Sequence, residues 1–397
     1  MTLTVRALMD EDAEAARQLG FEAFGMPASP PDESASIRQP GRTSFGAFSG
    51  ETLVAKMVDR DYDSYYGGAA LPTSGIAGVT VAAEFRGRGT LAPLFAATLA
   101  HARERGALIS TLFPTAPRIY RRFGYEVVSD YYTAQVATAS LAAAAVARSE
   151  EVSARRATAA DFDAIRSVYD AWAQQQNGPL TRRGVSFPAT AEEFLSAFTG
   201  VSVAVDVSGA VLGYASWERG PSYGETAVLK VSDLLATTGD AYRALMLALG
   251  SFSSVTPNTR IDTSGDDLVR IFLPSNEWRV VDSSAYMLKL LDVAGAFSAR
   301  GYPGGFAGAL GFELSGDFLT DLDGGYLLEV AAGSGHCSRG ARQDRVFTPH
   351  GLALLFAGRQ SSANLRAAGQ LSGGDRQQDS LWDALFGGQQ PHIRDYF

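Results

Sequence analysis

An internal repeat of domain size is the strongest constraint on how this 397-residue chain can fold. Near the start, VRALMDEDAEAARQL resembles RRATAADFDAIRSVY and matches Arg6 with Arg156. Further along, GVTV…RGRGTLAPLFAATLA aligns without gaps to VLKV…ATTGDAYRALMLALG and matches Gly89 with Gly239. The offset is 150 positions in both stretches, from 6 to 156 and from 89 to 239. This spacing is too long for a solenoid repeat and indicates a duplicated domain.

The two copies differ where the first one concentrates positive charge. Arg86 and Arg88 in the first copy are matched with Ala236 and Thr238 in the second. We therefore predict that the second copy does not bind whatever the first copy binds.

Composition narrows the class of protein. Hydrophobic residues make up 46% of the chain and charged residues 19%, which is typical of globular proteins and sufficient for two or three cores. No apolar run reaches the ~20 residues of a membrane span, and the N-terminus lacks a signal-peptide pattern. We predict a soluble cytoplasmic protein without a membrane partner. The net charge of -9 argues against a nucleic-acid partner. With a single cysteine, Cys337, we predict no intrachain disulfide and no metal site.

The stretch EFRGRGTLAP, residues 84–93, lies between a predicted strand and a predicted amphipathic helix. A glycine-containing turn of this kind leaves the first N–H groups of the helix free to bind an anion, and Arg86 and Arg88 add charged donors. The alternative is a surface turn with solvated arginines. The chain has no GxxxxGK[ST] loop, and GRG lacks the three glycines of a dinucleotide fold. A pyrophosphate-bearing carrier is the remaining ligand class.

The residues VTVAAEFRGRGT resemble the acyl-CoA pyrophosphate loop of the GNAT acetyltransferases, with Ala83 and Leu91 as departures from that pattern. The doubled unit, IYRRFGYE, LLDVAGAFSARGY and the terminal phenylalanine are together similar to the Eis-type aminoglycoside and lysine N-acetyltransferases. This similarity spans essentially the whole chain.

The resemblance implies an α+β (mixed α/β) fold with three domains and a homo-hexameric assembly. The domains would be a catalytic GNAT domain at 1–148, a degenerate GNAT domain at 149–286 and a sterol-carrier-protein-like domain at 287–397. The co-substrate would be acetyl-CoA. The implied acetyl-CoA contacts are Val79, Val81, Arg86, Gly87, Arg88, Gly89, Thr90 and Thr115.

The resemblance also implies the roles of two catalytic groups. Tyr120 would be the general acid, because a phenol with an ordinary pKa of about 10 is neutral at working pH and can protonate a departing thiolate. Without the resemblance, Tyr120 beside Ile119 and Phe123 is a packing aromatic. The α-carboxylate of Phe397 would accept the amine proton, whereas the sequence HIRDYF alone is typical of a frayed tail. A backbone N–H, that of Val81, would polarise the thioester carbonyl.

The acceptor side departs from the family pattern. Phe113 and the pair Pro117-Arg118 replace a usual histidine and glycine pair, Tyr396 replaces an acidic residue, and Gly78 replaces an aromatic one. These changes predict an altered acceptor pocket.

Two further motifs are weaker. GPSYG, residues 220–224, matches a nucleophile elbow but lies between two strand-like runs and predicts a hairpin turn. Cys337 is predicted to be a small core residue.

We therefore predict transfer of acetyl from acetyl-CoA to an aminoglycoside or another cationic, lysine-like amine. The alternatives are acetylation of a biosynthetic amine in specialised metabolism, and a non-catalytic protein that binds CoA or a lipid.

Overall fold

The structure is a computed structural model that describes residues 3–25, 36–145, 151–221, 223–273 and 277–397. The elements of the first unit are β1 (Thr4–Ala7), α1 (Ala13–Phe24), β2 (Arg42–Ser49), β3 (Thr52–Tyr66), β4 (Ala69–Val81), α2 (Leu91–Glu104), β5 (Ile109–Leu112), α3 (Pro117–Arg121), β6 (Glu126–Ala137) and α4 (Thr138–Ala144). Gly106 and Gly124 follow α2 and α3 with φ of 93° and 86°, a region that glycine enters without strain.

A second unit repeats the order of strands around a central helix. Its elements are β7 (Val152–Arg156), α5 (Phe162–Ala173), α6 (Ala191–Ser196), β8 (Gly200–Asp206), β9 (Val211–Arg219), β10 (Val228–Ala236), α7 (Gly239–Gly250), β11 (Asn258–Ser264), α8 (Val269–Phe272) and β12 (Arg279–Leu290). GPSYG joins β9 to β10, which pair antiparallel as a hairpin, although Ser222 itself lies outside the described residues.

The C-terminal unit packs a five-stranded sheet against helices. Its elements are α9 (Val293–Ala299), β13 (Gly308–Leu314), β14 (Gly324–Ala331), β15 (Ser334–Gly340), β16 (Val346–Phe347), α10 (Pro349–Phe356), α11 (Ser362–Ala367), β17 (Leu371–Ser372) and α12 (Asp379–Phe386). Cys337 is buried in its core, as predicted. The predicted boundary at 148/149 lies outside the described residues, and the one at 286/287 falls within β12. The helices of the described residues are all too short or too polar to span a bilayer.

The first two units exchange their last strands. Twelve strands of the described residues form one sheet in the order β1-β2-β3-β4-β5-β12-β6-β11-β10-β9-β8-β7. β12 of the second unit pairs antiparallel with β5 of the first, and β6 of the first unit pairs antiparallel with β11 of the second. The order reads the same from both edges, so each unit is completed by a strand of the other.

The ungapped alignment of the two copies is wrong at the turn. β4 pairs in parallel with β5 only over Thr73–Ile76 and continues for five residues to Val81. β10 pairs with β11 over Val228–Val231 and likewise continues for five residues. Val81 therefore corresponds to Ala236, which is the last residue of its strand and not part of a turn. The second copy has replaced the loop at residues 82–90 by Thr237 and Thr238 alone.

The match of Arg6 with Arg156 is also shifted by one residue. Arg6 forms a bidentate ion pair with Asp12, with N···O distances of 2.6 and 2.9 Å. In the second unit it is Arg155 that binds Asp161 in this way, at 2.7 and 2.8 Å. Both copies thus keep the same arginine–aspartate pair at the start of the first helix.

The chain terminus is anchored and not frayed. Pro391 forms a parallel bridge with Asn177, whose carbonyl accepts the His392 N–H at 2.7 Å. Arg394 is buried and donates to Asp267 at 2.7 Å. The tail consequently has fixed partners in the second unit, which its sequence did not indicate.

Candidate active site

The turn between β4 and α2 has the geometry of an anion-binding nest. Gly87 and Gly89 have φ of 74° and 78°, where other residues are strained. A Cβ at either position would meet nothing within 4 Å, so it is the backbone conformation and not the available space that requires glycine. Thr90 does not cap α2, because its hydroxyl donates to the Phe85 carbonyl at 3.1 Å. The Ala92 N–H donates to the Gly89 carbonyl at 3.2 Å and Pro93 has no N–H, so the backbone donors left for a ligand are those of the turn itself and of Leu91.

The two arginines of the turn have different surroundings. The Arg86 Nε donates to the Val81 carbonyl at 3.1 Å, and its guanidinium lies 3.8 Å from the Glu22 carboxylate. Arg88 is exposed, lies over the Phe85 ring at 5.8 Å and has no acidic partner among the described residues. Arg88 is thus the cation available to a phosphate at this turn.

Beyond Ile76, β4 has an open edge on the side from which β5 diverges. The Ala82 N–H donates to Val54 of β3 at 2.9 Å, and N–H groups alternate in direction along a strand, so the Val81 N–H faces the open edge. The β3–β4 register shifts beside Gly78, whose φ is 57°. This bulge requires glycine, which accounts for the missing aromatic residue at that position. Val79 and Val81 pack partly buried against the first-unit core.

Tyr120 is held rigidly by aromatic packing on α3. Its side chain is buried, and its ring meets the Phe95 ring edge-on with centroids 6.0 Å apart. Burial raises the pKa of the Tyr120 hydroxyl, and the neighbouring Thr115 side chain opposes part of that rise. The phenol is therefore protonated throughout the neutral range and can donate a proton.

A buried ion pair supports the end of α3. The Lys289 ammonium, on β12, donates to Asp317 at 2.5 and 2.8 Å, and both side chains are inaccessible to solvent. A Cβ added at Gly124 would lie 2.8 Å from the Lys289 Nζ. Burial lowers the pKa of Lys289, while Asp317 raises it again. The turn that ends the Tyr120 helix thus rests directly on a fixed charge pair.

Phe397 lies where β4 and β5 begin to diverge. Its ring centroid is 5.0 Å from that of Tyr62 and 5.4 Å from that of Phe113, which directly follows β5. A Cβ added at Gly75 would lie 2.9 Å from the Phe397 ring, so glycine makes room for the terminal residue. Gly75 and Val79 are about 13 Å apart along the strand. The terminal residue thus packs against β4, the strand that carries the predicted acetyl-CoA contacts Val79 and Val81.

A cleft of about 450 Å³ opens beside Phe397. The second unit supplies most of its walls, and the first unit contributes Arg60, Tyr62 and Tyr131. Tyr120, Thr115 and the nest residues do not line it. Phe113 of the first unit contacts the tail at the cleft, because its ring lies near both Phe397 and Tyr396, the latter at 4.4 Å. The nest and Tyr120 are therefore outside the cleft, whereas the terminal residue lies at its wall.

Sequence reasoning missed how the cleft and the tail are joined. Arg182 has an unusual φ of 53° and binds Asp233 at 2.5 Å and Asp395 at 2.9 Å. It thereby ties β10 to the terminal tail. No sequence signal marks Arg182 or Gly75, because their roles depend on contacts across units. Among the described residues, no cluster of three acidic, histidine or cysteine side chains is arranged to hold a metal.

Family models match all three units. An acetyltransferase (GNAT) domain model matches residues 4–128, a second GNAT domain model matches residues 180–290, and a sterol carrier protein domain model matches residues 293–394. These matches confirm the predicted fold class and the order of the domains.

Known proteins are similar over most of the chain. An uncharacterized N-acetyltransferase of Streptomyces griseus is 29% identical over 426 aligned positions that cover all of both chains. The N-acetyltransferase Eis of Mycobacterium tuberculosis is 27% identical over 344 positions, 82% of this chain and 80% of that one. The crystal structure of a GCN5-related N-acetyltransferase from Kribbella flavida superposes with a TM-score of 0.84 at 27% identity, covering 100% of this chain and 98% of that one.

Proposed function

The chain is an Eis-type N-acetyltransferase of the GNAT family that uses acetyl-CoA, and we propose that it acetylates a primary amine held in the cleft beside Phe397. The observation that carries this proposal is the position of Phe397 between an open strand edge and a cleft of substrate size. An aminoglycoside or other cationic amine is the acceptor that the resemblance suggests. A biosynthetic amine is the alternative.

The proposed reaction needs three groups of this chain. The Phe397 carboxylate attracts the ammonium group and takes its proton, directly or through water, and the free amine attacks the thioester carbon. The Val81 N–H, on the open edge of β4, stabilises the oxyanion that forms. The carbon–sulfur bond then breaks, and Tyr120 gives its proton to the thiolate. The products are the acetamide, CoA thiol and one proton. Of the two protons that the nitrogen loses, the one taken by the Phe397 carboxylate is released to solvent, and the one lost as the tetrahedral intermediate collapses replaces that of Tyr120 by way of solvent.

The nest and Arg88 support the binding of the pyrophosphate of acetyl-CoA. Backbone N–H groups at a helix start and an unpaired guanidinium are the donors that phosphate oxygens prefer. We propose acetyl-CoA contacts at Val79, Val81, the turn from Arg86 to Thr90, and Thr115.

A single hydroxyl deletion tests the proposal against a non-catalytic CoA-binding protein. We expect Tyr120→Phe to lower kcat by roughly 10²- to 10⁴-fold, the usual contribution of a general acid, while acetyl-CoA affinity stays within twofold. Thiol release over a panel of amines, together with calorimetric titration of acetyl-CoA, measures both. Tyr125→Phe is the matched control, because it removes a buried hydroxyl bonded to Ser110 at 2.6 Å and leaves the proposed site intact. Acetyl-CoA binding without thiol release on any amine would favour the binding protein.

The cytoplasmic location, predicted from the composition and the N-terminal sequence, and the homo-hexamer, implied by the resemblance, stay predictions. Sedimentation equilibrium of the purified chain measures the assembly.

A further inference from the structure

The charge of the cleft does not suit a polycation. Basic side chains outnumber the aspartates that line it, six against four. The six include Arg60 and Arg166, and the terminal carboxylate adds one negative charge. A cleft that captures polycations by attraction requires an excess of negative charge. This cleft lacks that excess.

Each aspartate of the cleft already has a basic partner. Asp233 and Asp395 share Arg182, as described above. Asp170 is ion-paired with Arg183, and the Asp262 carboxylate lies 3.6 Å from the Lys230 ammonium. A carboxylate neutralised by a fixed neighbour attracts an incoming ammonium weakly. The terminal carboxylate, in contrast, has no ion pair within the described part of the chain and is the group left for one amine.

Arg60 is the opposite case, a cation that lacks an anion. It is half-buried, and among the described residues its guanidinium donates only to the Tyr62 hydroxyl, at 3.2 Å. Its Nε is buried without a hydrogen-bond partner, and no carboxylate of the described residues pairs with it. Buried donors are normally satisfied, so this one indicates a missing acceptor.

A second arginine lies opposite Arg60 on the neighbouring strand. Arg42 is its direct cross-strand partner on β2, and the Arg42 Nε is also buried without a partner in the part of the chain that the structure describes. Like charges directly opposite each other in a sheet are destabilising unless an anion lies between them. The described residues provide no such anion, and a ligand would supply it.

Arg60 is also close to the terminal residue. It is the register partner of Gly75, so both lie on the face of the sheet against which the Phe397 ring packs. Tyr62 and Phe187, with ring centroids 5.6 Å apart, form an aromatic wall beside it. An amine at the terminal carboxylate would thus extend along aromatic rings toward Arg60.

We infer that the acceptor is a monoamine that also carries a carboxylate, with its amine at the Phe397 terminus, its flat or apolar body against Tyr62, and its carboxylate on Arg60, next to Arg42. This inference rests on the proposed acetyl transfer. The planar guanidinium groups match a carboxylate in shape and charge.

Matched acceptor pairs test the inference. 4-(Aminomethyl)benzoate is compared with benzylamine, 6-aminohexanoate with hexylamine, and spermidine serves as the polycation, all at saturating acetyl-CoA. We expect kcat/KM to be roughly 10- to 100-fold higher for each carboxylate compound than for its matched amine, the value of a charge-assisted hydrogen bond. Arg60→Gln should remove this preference, Arg60→Lys should keep most of it, and benzylamine should change less than about twofold in either variant.

Controls separate failure of the inference from failure of the proposed function. Arg260→Gln removes an exposed arginine on β11 outside the cleft and should leave all values unchanged. Acetyl-CoA affinity and thermal melting show whether each variant is folded. A preference for spermidine, or a carboxylate preference that survives Arg60→Gln, would overturn the inference and leave acetyl transfer standing.

A binding measurement tests the inference even if no amine gives thiol release. Calorimetric titration of 4-(aminomethyl)benzoate into the CoA complex should show saturable binding that Arg60→Gln weakens roughly 10-fold or more. Absence of thiol release on every amine would end the proposed function. Absence of binding in this titration would end the inference by itself.

Discussion

The two copies of the duplicated unit keep the same order of strands and differ at one turn. In the first copy, residues 82–90 separate β4 from α2, and no side chain caps the helix. In the second, two residues separate β10 from α7, and the Thr238 hydroxyl caps the helix by accepting the Ala241 N–H at 3.2 Å. A Cβ at Gly239 would also meet the Phe272 ring at 3.8 Å. In the proposed function, acetyl-CoA binding therefore depends on this loop, while the fold depends on features that both copies retain.

The second copy has not become dispensable. It supplies Arg182 and Asp267, which hold the tail, and most of the cleft wall. One copy thus presents the activated acetyl group in the proposed reaction, and the other positions the acceptor and the terminal carboxylate.

The largest effect is expected from moving the terminal carboxylate. Adding one glycine after Phe397 keeps the ring but displaces the carboxylate. We expect kcat to fall about 10³-fold, within the range for a proton-accepting group, and acetyl-CoA affinity to stay within twofold. Thiol release and calorimetry measure the two quantities. Full activity of the extended chain would show that the second copy anchors the tail for packing alone.

The next effect concerns the buried ion pair at the end of α3, whereas the buried pair beside α8 of the second copy, Asp267 with Arg394, lies at the start of its helix. Lys289→Ala leaves Asp317 buried and unpaired, so we expect the free energy of unfolding to fall by about 3–5 kcal/mol. Urea titration at pH 7 measures it. The double variant Lys289→Met/Asp317→Leu removes both charges and should recover most of the loss. An equal loss in both variants would assign the effect to packing.

Two matched glycine substitutions compare the turns directly. Gly89→Ala forces a side chain into a φ of 78°, at a cost of about 1–2 kcal/mol, so we expect acetyl-CoA affinity to fall roughly 10-fold. Gly239→Ala lies at the start of α7 and should leave acetyl-CoA affinity unchanged. Equal losses in the two variants would contradict the assignment of binding to the first turn.

The smallest effect tests what the copies share. We expect Asp12→Asn and Asp161→Asn each to cost about 1 kcal/mol, since the partner arginines are solvent-exposed. The hydrogen bonds from Arg6 and Arg155 hold the pKa of these carboxyls below the ordinary value. Their stabilisation is therefore complete above pH ~3.9 and is lost as the pH falls through the lowered values. Chemical unfolding measured between pH 3 and pH 7 should show that the two variants lose the same amount of unfolding free energy relative to the parent chain.

Local chemistry made much of the fold predictable. The amphipathic pattern of α2, the glycines that end α2 and α3, and the hairpin at GPSYG all arise from interactions within a few residues. The strand exchange was not predictable in this way, because β5 and β12 are paired across more than 160 positions. The shorter turn of the second copy was not visible in the sequence, because residues from β4 and α2 could still be aligned without gaps to residues from β10 and α7.

The site residues also fall into those that local sequence reveals and those that depend on distant contacts. Gly87 and Gly89 have the backbone conformation that the nest requires, and these residues were evident from the sequence. Arg60 was not evident from the sequence. It matters in the inference because no carboxylate of the described residues pairs with it, and this can be seen only once its neighbours in the fold are known.

The reciprocal exchange of β6 and β12 has a consequence for how such a chain can be shortened. A fragment that stops after α4 would carry the nest and Tyr120, yet it would present bare hydrogen-bonding edges where β12 and β11 belong. Exposed edges of this kind recruit strands from other molecules. The first unit is therefore expected to aggregate or to pair with itself when it is expressed alone, and the second unit is not removable although it lacks the nest.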